Sequence, residues 1–203
     1  MTVSKLGAVK VTGVLGDGTG FSSGAGLSKT GEFPIYATPY HSSGLFQGWA
    51  QFADTTKVSD FSSALRWKRE QRTVANPGPY DGGFEGAIQL SGASFVKPLA
   101  DAPVLNFAGP SATFSLGDGA GGSSTVTFTI GAHNAVVMGM TNPSQIKIKL
   151  NTATGYFSGT FVKSGVRKPI PFNGAFLQGQ TIGEGFYLQD GKTVPVSFAP
   201  TQM

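Results

Sequence analysis

Apolar and polar residues alternate with a period of two along most of the chain. Val126, Phe128 and Ile130 interleave with Thr125, Thr127 and Thr129. Such alternation turns one face of a strand to a core and the other to water. Ile146, Ile148 and Leu150 interleave with Lys147 and Lys149 in the same way. Between the runs stand turn signals: Gly16-Asp17-Gly18, Thr30-Gly31, Ser43-Gly44, Asp118-Gly119, Asn142-Pro143, Thr154-Gly155 and Asp190-Gly191. Glycine there supplies the positive φ that tight hairpins require. The pattern predicts about 12–14 short strands at the spacing typical of sandwiches and barrels. The one segment with some helical spacing runs from Ser59 to Gln71. Its Ala64-Leu65-Arg66-Trp67-Lys68 core alternates, so it is predicted as a strand.

An ungapped offset of 135 positions lays Leu15–Phe52 over Leu150–Tyr187, with nine identities in 38 positions. They are Leu15, Thr19, Gly20, Ser23, Gly24, Pro34, Ile35, Gly44 and Gly48 with their counterparts, and Phe21 and Phe52 meet Tyr156 and Tyr187. The shared unit reads as a three-stranded meander: a hairpin, a Pro-Ile strand and a Gly-x-x-x-Gly aromatic strand. Fold expectation is therefore all-β: an antiparallel β-barrel or barrel-like sandwich in a single domain over residues 1–203, with two similar three-stranded meanders near the termini. The meanders are expected to flank a middle sheet and pair with it, closing the barrel and removing exposed edges.

Composition agrees with this class. The 203 residues include 30 Gly, 12 Pro and 16 Phe, and only 13% are charged. That balance argues against a coiled coil or helical bundle, and the Phe and β-branched content argues against disorder. Fifteen basic and eleven acidic residues leave a net charge of +4, too small and too dispersed to require a specific nucleic-acid partner. There is no Cys, hence no disulfide framework or thiolate metal site. No apolar run reaches the roughly 18 residues needed to span a bilayer. The start Met1-Thr2-Val3-Ser4-Lys5 lacks a signal-peptide core. The chain is accordingly expected to be a module excised from a longer protein.

Several enzyme motifs match in letters and fail in context. Gly20-Phe21-Ser22-Ser23-Gly24 has the form of a nucleophile elbow, which needs a strand, a sharp turn and a helix; here a strand continues. Gly117-Asp118-Gly119-Ala120-Gly121-Gly122 fits G-x-G-x-x-G, but the following Ser123-Ser124-Thr125-Val126 is a β run, with no helix to receive a pyrophosphate. Gly191-Lys192-Thr193 lacks the upstream glycine of a phosphate loop. His41 and His133 are the only histidines, and the aspartates lie in or beside turns, where Asp caps its own backbone. An Asp81–Glu85 pair could in principle serve acid–base hydrolysis, but alternation with Phe84 directs Glu85 to solvent. No catalytic residue, metal or cofactor is assigned.

The sharpest candidate is a basic aromatic stretch. Arg66-Trp67-Lys68-Arg69-Glu70-Gln71-Arg72 places four cations and an indole in seven residues, and Tyr80 follows. Such a group suits acidic polysaccharide, phosphate or single-stranded nucleic acid through charge and stacking. The plainer reading is a strand with Trp67 inward and Arg66 and Lys68 reaching outward. The candidate ligand-binding set is Arg66, Trp67, Lys68, Arg69, Arg72, Tyr80 and Trp49. Trp49, Tyr36 and Tyr40 nonetheless read more readily as core or barrel-lining residues than as a sugar platform.

The order of motifs adds a resemblance. It runs from Leu15-Gly16-Asp17-Gly18-Thr19 through Phe33-Pro34-Ile35-Tyr36, Gly44-Leu45-Phe46-Gln47-Gly48-Trp49 and Tyr80-Asp81-Gly82-Gly83-Phe84. It ends with Thr154-Gly155-Tyr156-Phe157-Ser158-Gly159, Phe172-Asn173-Gly174-Ala175-Phe176 and Gly183-Glu184-Gly185-Phe186-Tyr187-Leu188. This is similar to an uncharacterised β-rich domain near the C-terminus of large secreted or surface bacterial proteins, often behind Ig-like or repeat modules. The resemblance implies an extracellular or cell-surface location beside other domains of a parent protein, and no chemistry. The functional expectation is a non-catalytic structural or binding module for adhesion, scaffolding or display, with a polysaccharide or protein partner. A carbohydrate-binding module using exposed Trp and basic residues is the second reading, separated from the first by whether Trp49 or Trp67 faces solvent. A barrel holding a small apolar ligand in a Phe-lined cavity is the third.

Overall fold

A computed structural model describes residues 1–55, 59–75, 78, 80–100, 102–105, 107 and 111–201. The fold is all-β and divides into two compact units. The first comprises Met1–Gly92 with Asp190–Lys192, and the second Ala93–Gln189 with Thr193–Met203. No helix among the described residues is long and apolar enough to cross a membrane.

In the first unit, β1 (Thr2–Val3), β2 (Ala8–Val14) and β3 (Gly20–Gly26) form a three-stranded antiparallel sheet. A second, four-stranded sheet consists of β4 (Glu32–Ala37), β5 (Gly44–Thr55), β6 (Ser59–Arg69) and β7 (Phe84–Gly92) in sequential order. The predicted strand over Ser59–Gln71 is thus β6. Alternation decides which side each residue faces. Phe33, Ile35 and Ala37 of β4, Phe46 and Ala50 of β5 and Leu65 of β6 are all buried. Their register, Phe33 opposite Ala50, Ala37 opposite Phe46 and Gly48 opposite Leu65, places them on one face. Val9, Phe21 and Leu27 pack against that face, with the Phe21 and Phe46 ring centroids 4.7 Å apart.

The second unit holds the barrel. Its strands are β8 (Ala112–Gly117), β9 (Ser123–Ile130), β10 (Val136–Met138), β11 (Lys147–Asn151), β12 (Tyr156–Phe161), β13 (Ile170–Leu177), β14 (Ile182–Gln189) and β15 (Lys192–Pro200). They form one eight-stranded sheet in the order β10-β9-β8-β15-β14-β13-β12-β11, whose end strands β10 and β11 approach each other and nearly close it. Val126 and Phe128 face inward as the alternation predicts. The interior is built from rings: Phe157 lies 5.8 Å from Phe176 and 5.1 Å from Phe198, and Phe128 lies 5.4 Å from Phe198. Glycines make the room. A Cβ on Gly183 would collide with the Phe198 ring, and one on Gly174 with the Phe157 ring. The Asp190-Gly191 turn that links β14 to β15 has φ of +51° and +74°, the geometry of a two-residue hairpin.

The expected pairing of both meanders with a middle sheet needs correction. Residues 150–187 run through the paired strands β12, β13 and β14. Residues 15–52 run through β3, β4 and β5, where β3 belongs to one sheet and β4 and β5 to another. The middle strands β8 to β10 join β15 instead. Between β3 and β4 the Ser23 hydroxyl accepts the Tyr36 amide at 2.9 Å, a side-chain bond in place of a ladder bond.

Candidate functional site

Strand β6 sends its residues alternately to the two faces of the four-stranded sheet. Trp67 and Arg69 point inward, where Trp67 stacks edge-on to Phe84 with centroids 4.6 Å apart. Its indole N–H donates to the Tyr40 hydroxyl at 3.0 Å, and that hydroxyl donates to Asp17 Oδ2 at 2.7 Å. Arg69 completes the cluster. Its Nη1 reaches Asp17 at 3.2 Å, its Nη2 reaches Asp81 at 2.6 Å, and its guanidinium lies 4.7 Å from the centre of the Tyr40 ring. The side chains of Arg69 and Asp17 are only 12% and 1% exposed, so their charges are satisfied by each other rather than by water. Burial, and then the bond to Asp17, raise the Tyr40 hydroxyl well above the ordinary tyrosine range.

Tyr40 is presented by an unusual turn. Tyr40, His41 and Ser42 have φ of +64°, +56° and +72°, a left-handed run that costs about 1–2 kcal/mol per non-glycine residue. Such geometry persists where surrounding contacts over-determine it, and the bonds of Tyr40 to Trp67, Asp17 and Arg69 are those contacts.

Each cation of the basic stretch has an acidic partner. Arg66 Nε donates to Glu85 at 2.9 Å, Lys68 meets Glu70 at 2.6 Å, Arg69 bridges Asp17 and Asp81, and Arg72 lies 3.9 Å from Asp81. Four cations therefore face four carboxylates, and the stretch is balanced rather than an open positive patch. The hydrogen bond and charge of Glu70 raise the pKa of the exposed Lys68. Asp81 and Glu85, weighed as an acid–base pair, are each engaged by arginine. The structure brings Trp67, Arg69, Arg72 and Tyr80 to one end of the sheet, with the Tyr80 ring 5.8 Å from Phe84. Trp67, Tyr80, Phe84 and Ile88 line a cavity of about 290 Å³ there.

Trp49 lies elsewhere. It is 63% exposed and Tyr36 is 57% exposed, so neither is a core or barrel-lining residue. The register states the reason. Trp49 sits opposite Pro34 and Ala64, and Tyr36 opposite Gln47, all on the face turned away from Phe33, Ile35 and Phe46. Tyr36 and Trp49 are thus diagonal neighbours on adjacent strands, within reach of one ligand. Around them on this face stand Gln47 and Gln51 of β5, Arg66 of β6 and Gln89 of β7. At the β4 side a cleft of about 340 Å³ opens, lined by Tyr36 with Phe21, Ser22 and Thr38. A signal for this face was present in the sequence: Trp49 alternates with Gln47 and Gln51, whereas Phe46, Gly48, Ala50 and Phe52 share the other side.

Elsewhere, Asp118 accepts the Ala120 and Gly122 amides at 2.7 and 2.9 Å within the loop that resembled a dinucleotide motif. Those bonds hold its carboxyl below the usual range. The loop links two strands, and Gly20–Gly26 is strand β3 rather than a nucleophile elbow. No group of three or more His, Cys, Asp or Glu residues placed to hold a metal ion occurs among the described residues. The chain matches no family model, no curated protein and no solved structure.

Proposed function

We propose that the chain is a non-catalytic binding module of a larger extracellular bacterial protein, serving adhesion, scaffolding or display. The outward face of the four-stranded sheet is its contact surface. One observation carries this reading: a Trp and a Tyr stand on adjacent strands, both more than half exposed, on a sheet whose opposite face buries Phe33, Ile35, Phe46 and Leu65. Exposed aromatics on a rigid scaffold are the anchors from which binding sites are built. The extracellular setting rests on the resemblance of the motif order. Carbohydrate binding gains ground over a purely structural role because Trp49 faces solvent, while the cations have partners of their own.

The test measures retention of the chain on immobilised polysaccharides and on immobilised extracellular-matrix proteins, with Trp49→Ala and Tyr36→Ala in parallel. Retention lost in both variants while their unfolding midpoints stay unchanged supports this face as the contact surface. Retention that survives both substitutions overturns it.

A further inference from the structure

The geometry points to a neutral glycan chain as the ligand of this face, lying across Trp49 and Tyr36 and continuing into the cleft at Ser22 and Thr38. The inference rests on the reading that the outward sheet face is the contact surface, and it adds the class of ligand.

Charge favours an uncharged chain over an acidic one. The cation nearest the aromatic pair is Arg66, which sits opposite Gln47 and is held by Glu85 on its own face. Lys68 is held by Glu70. An anionic chain would meet cations already shared with the Glu85 and Glu70 carboxylates and would be repelled by those carboxylates, whereas an uncharged one pays no such cost.

The polar groups that remain around Trp49 are amides, together with the exposed carboxylate of Glu32, which sits opposite Gln51 and accepts the Thr30 hydroxyl. Gln47 and Gln51 flank Trp49 on β5, and Gln89 shares its row across Ala64. A Gln side chain both donates and accepts, which matches sugar hydroxyls that do the same. Pro34 and Ala64, the residues directly opposite Trp49, are too short to cover the indole. The apolar faces of pyranose rings can therefore stack on it, as aromatic platforms allow with any ring that presents a flat apolar side.

Tyr36 gives the site its direction. It belongs both to the sheet face and to the cleft of about 340 Å³, where Ser22 and Thr38 add hydroxyls. A chain crossing from β5 to β4 meets Trp49, then Tyr36, then this polar cleft, so an extended oligomer gains more than a single sugar.

Calorimetric titration of the full chain with neutral hexasaccharides of glucose, N-acetylglucosamine, xylose and mannose, beside polygalacturonate and alginate, tests the inference. We expect at least one neutral hexasaccharide to bind, with affinity falling about tenfold or more in Trp49→Ala and in Tyr36→Ala. Arg66→Ala and high salt should leave it unchanged, and the matching monosaccharide should bind more weakly. Failure of every neutral probe overturns the inference. Binding of an acidic polymer alone that is lost in Trp49→Ala also overturns it, while leaving the face as the contact surface. Binding of any polymer that survives both aromatic substitutions overturns the inference and the surface together.

Discussion

The indole N–H of Trp67 donates to the hydroxyl of Tyr40 at 3.0 Å, joining two residues 27 positions apart. Through the same oxygen Tyr40 reaches Asp17, and Arg69 lies over its ring. One hydroxyl thus connects β6 to the Leu15–Thr19 turn and holds a left-handed turn before β5. Replacing it by hydrogen in Tyr40→Phe keeps the ring and leaves the Trp67 N–H without its acceptor. The expected loss is about 1–3 kcal/mol, read from urea unfolding. Tyr36→Phe, on the exposed face, should stay within about 0.5 kcal/mol. Equal effects in the two variants would mean that the Tyr40 hydroxyl is not a structural group.

Alkaline conditions should weaken the fold. The hydroxyls of Tyr40 and Tyr187 are raised above the ordinary value of 10.0, in both cases first by burial. Asp17 adds to the effect at Tyr40 and the charge of Asp118 at Tyr187. A group whose folded pKa is raised binds its proton more tightly in the native state, so its stabilising effect is complete below the unfolded value and is lost as pH rises toward the folded one. The urea midpoint should therefore be level below about pH 9 and fall above about pH 10. Tyr40→Phe should flatten that fall. An unchanged alkaline slope in this variant would remove Tyr40 from the explanation.

Two glycines of the pleated sheets should behave in opposite ways. Gly183→Ala drives a methyl group into the Phe198 ring in the barrel interior, whereas nothing stands within 4 Å of a Cβ at Gly86. The first variant should lose about 1–3 kcal/mol through overpacking, and the second should be neutral or gain about 0.4–1 kcal/mol by restricting the unfolded chain. Phe161→Ala, at a buried position, sets the scale for the barrel core at about 3–5 kcal/mol. Thermal and urea unfolding check all three. A Gly183→Ala variant as stable as Gly86→Ala would show that the Phe198 ring can move aside.

Gln178 fastens the segment before β8 to the second unit. Its amide exchanges two hydrogen bonds with the Val96 backbone and donates a third to the Val104 carbonyl, at 2.8–3.0 Å. Asn134 holds the same segment through the Val104 amide and the Ala102 carbonyl. Gln178→Ala should accelerate hydrogen exchange at the Val96 amide by about tenfold or more, with the Phe172 and Phe176 amides of β13 unchanged. Uniform acceleration across β13 would instead indicate global destabilisation.

The sequence by itself determined the strands, their inward and outward faces and most of their turns. Alternation is a property of residues two apart, so Val126 and Phe128 announce a core face locally, and Asp190-Gly191 carries its own hairpin geometry. The same rule applied to Gln47, Trp49 and Gln51 exposes Trp49. The prior that large aromatics are buried masked that signal, although many apolar groups on any folded surface remain exposed. Only the tertiary structure decided which sheet each strand joins and which charges meet. The partners of Arg69 come from positions 17 and 81, and Glu85 comes to Arg66 from the neighbouring strand. A run of four cations looks like an anion site when read along the chain. Register and chain path, which no local pattern encodes, bring up the carboxylates that neutralise it and leave the aromatic face as the open surface.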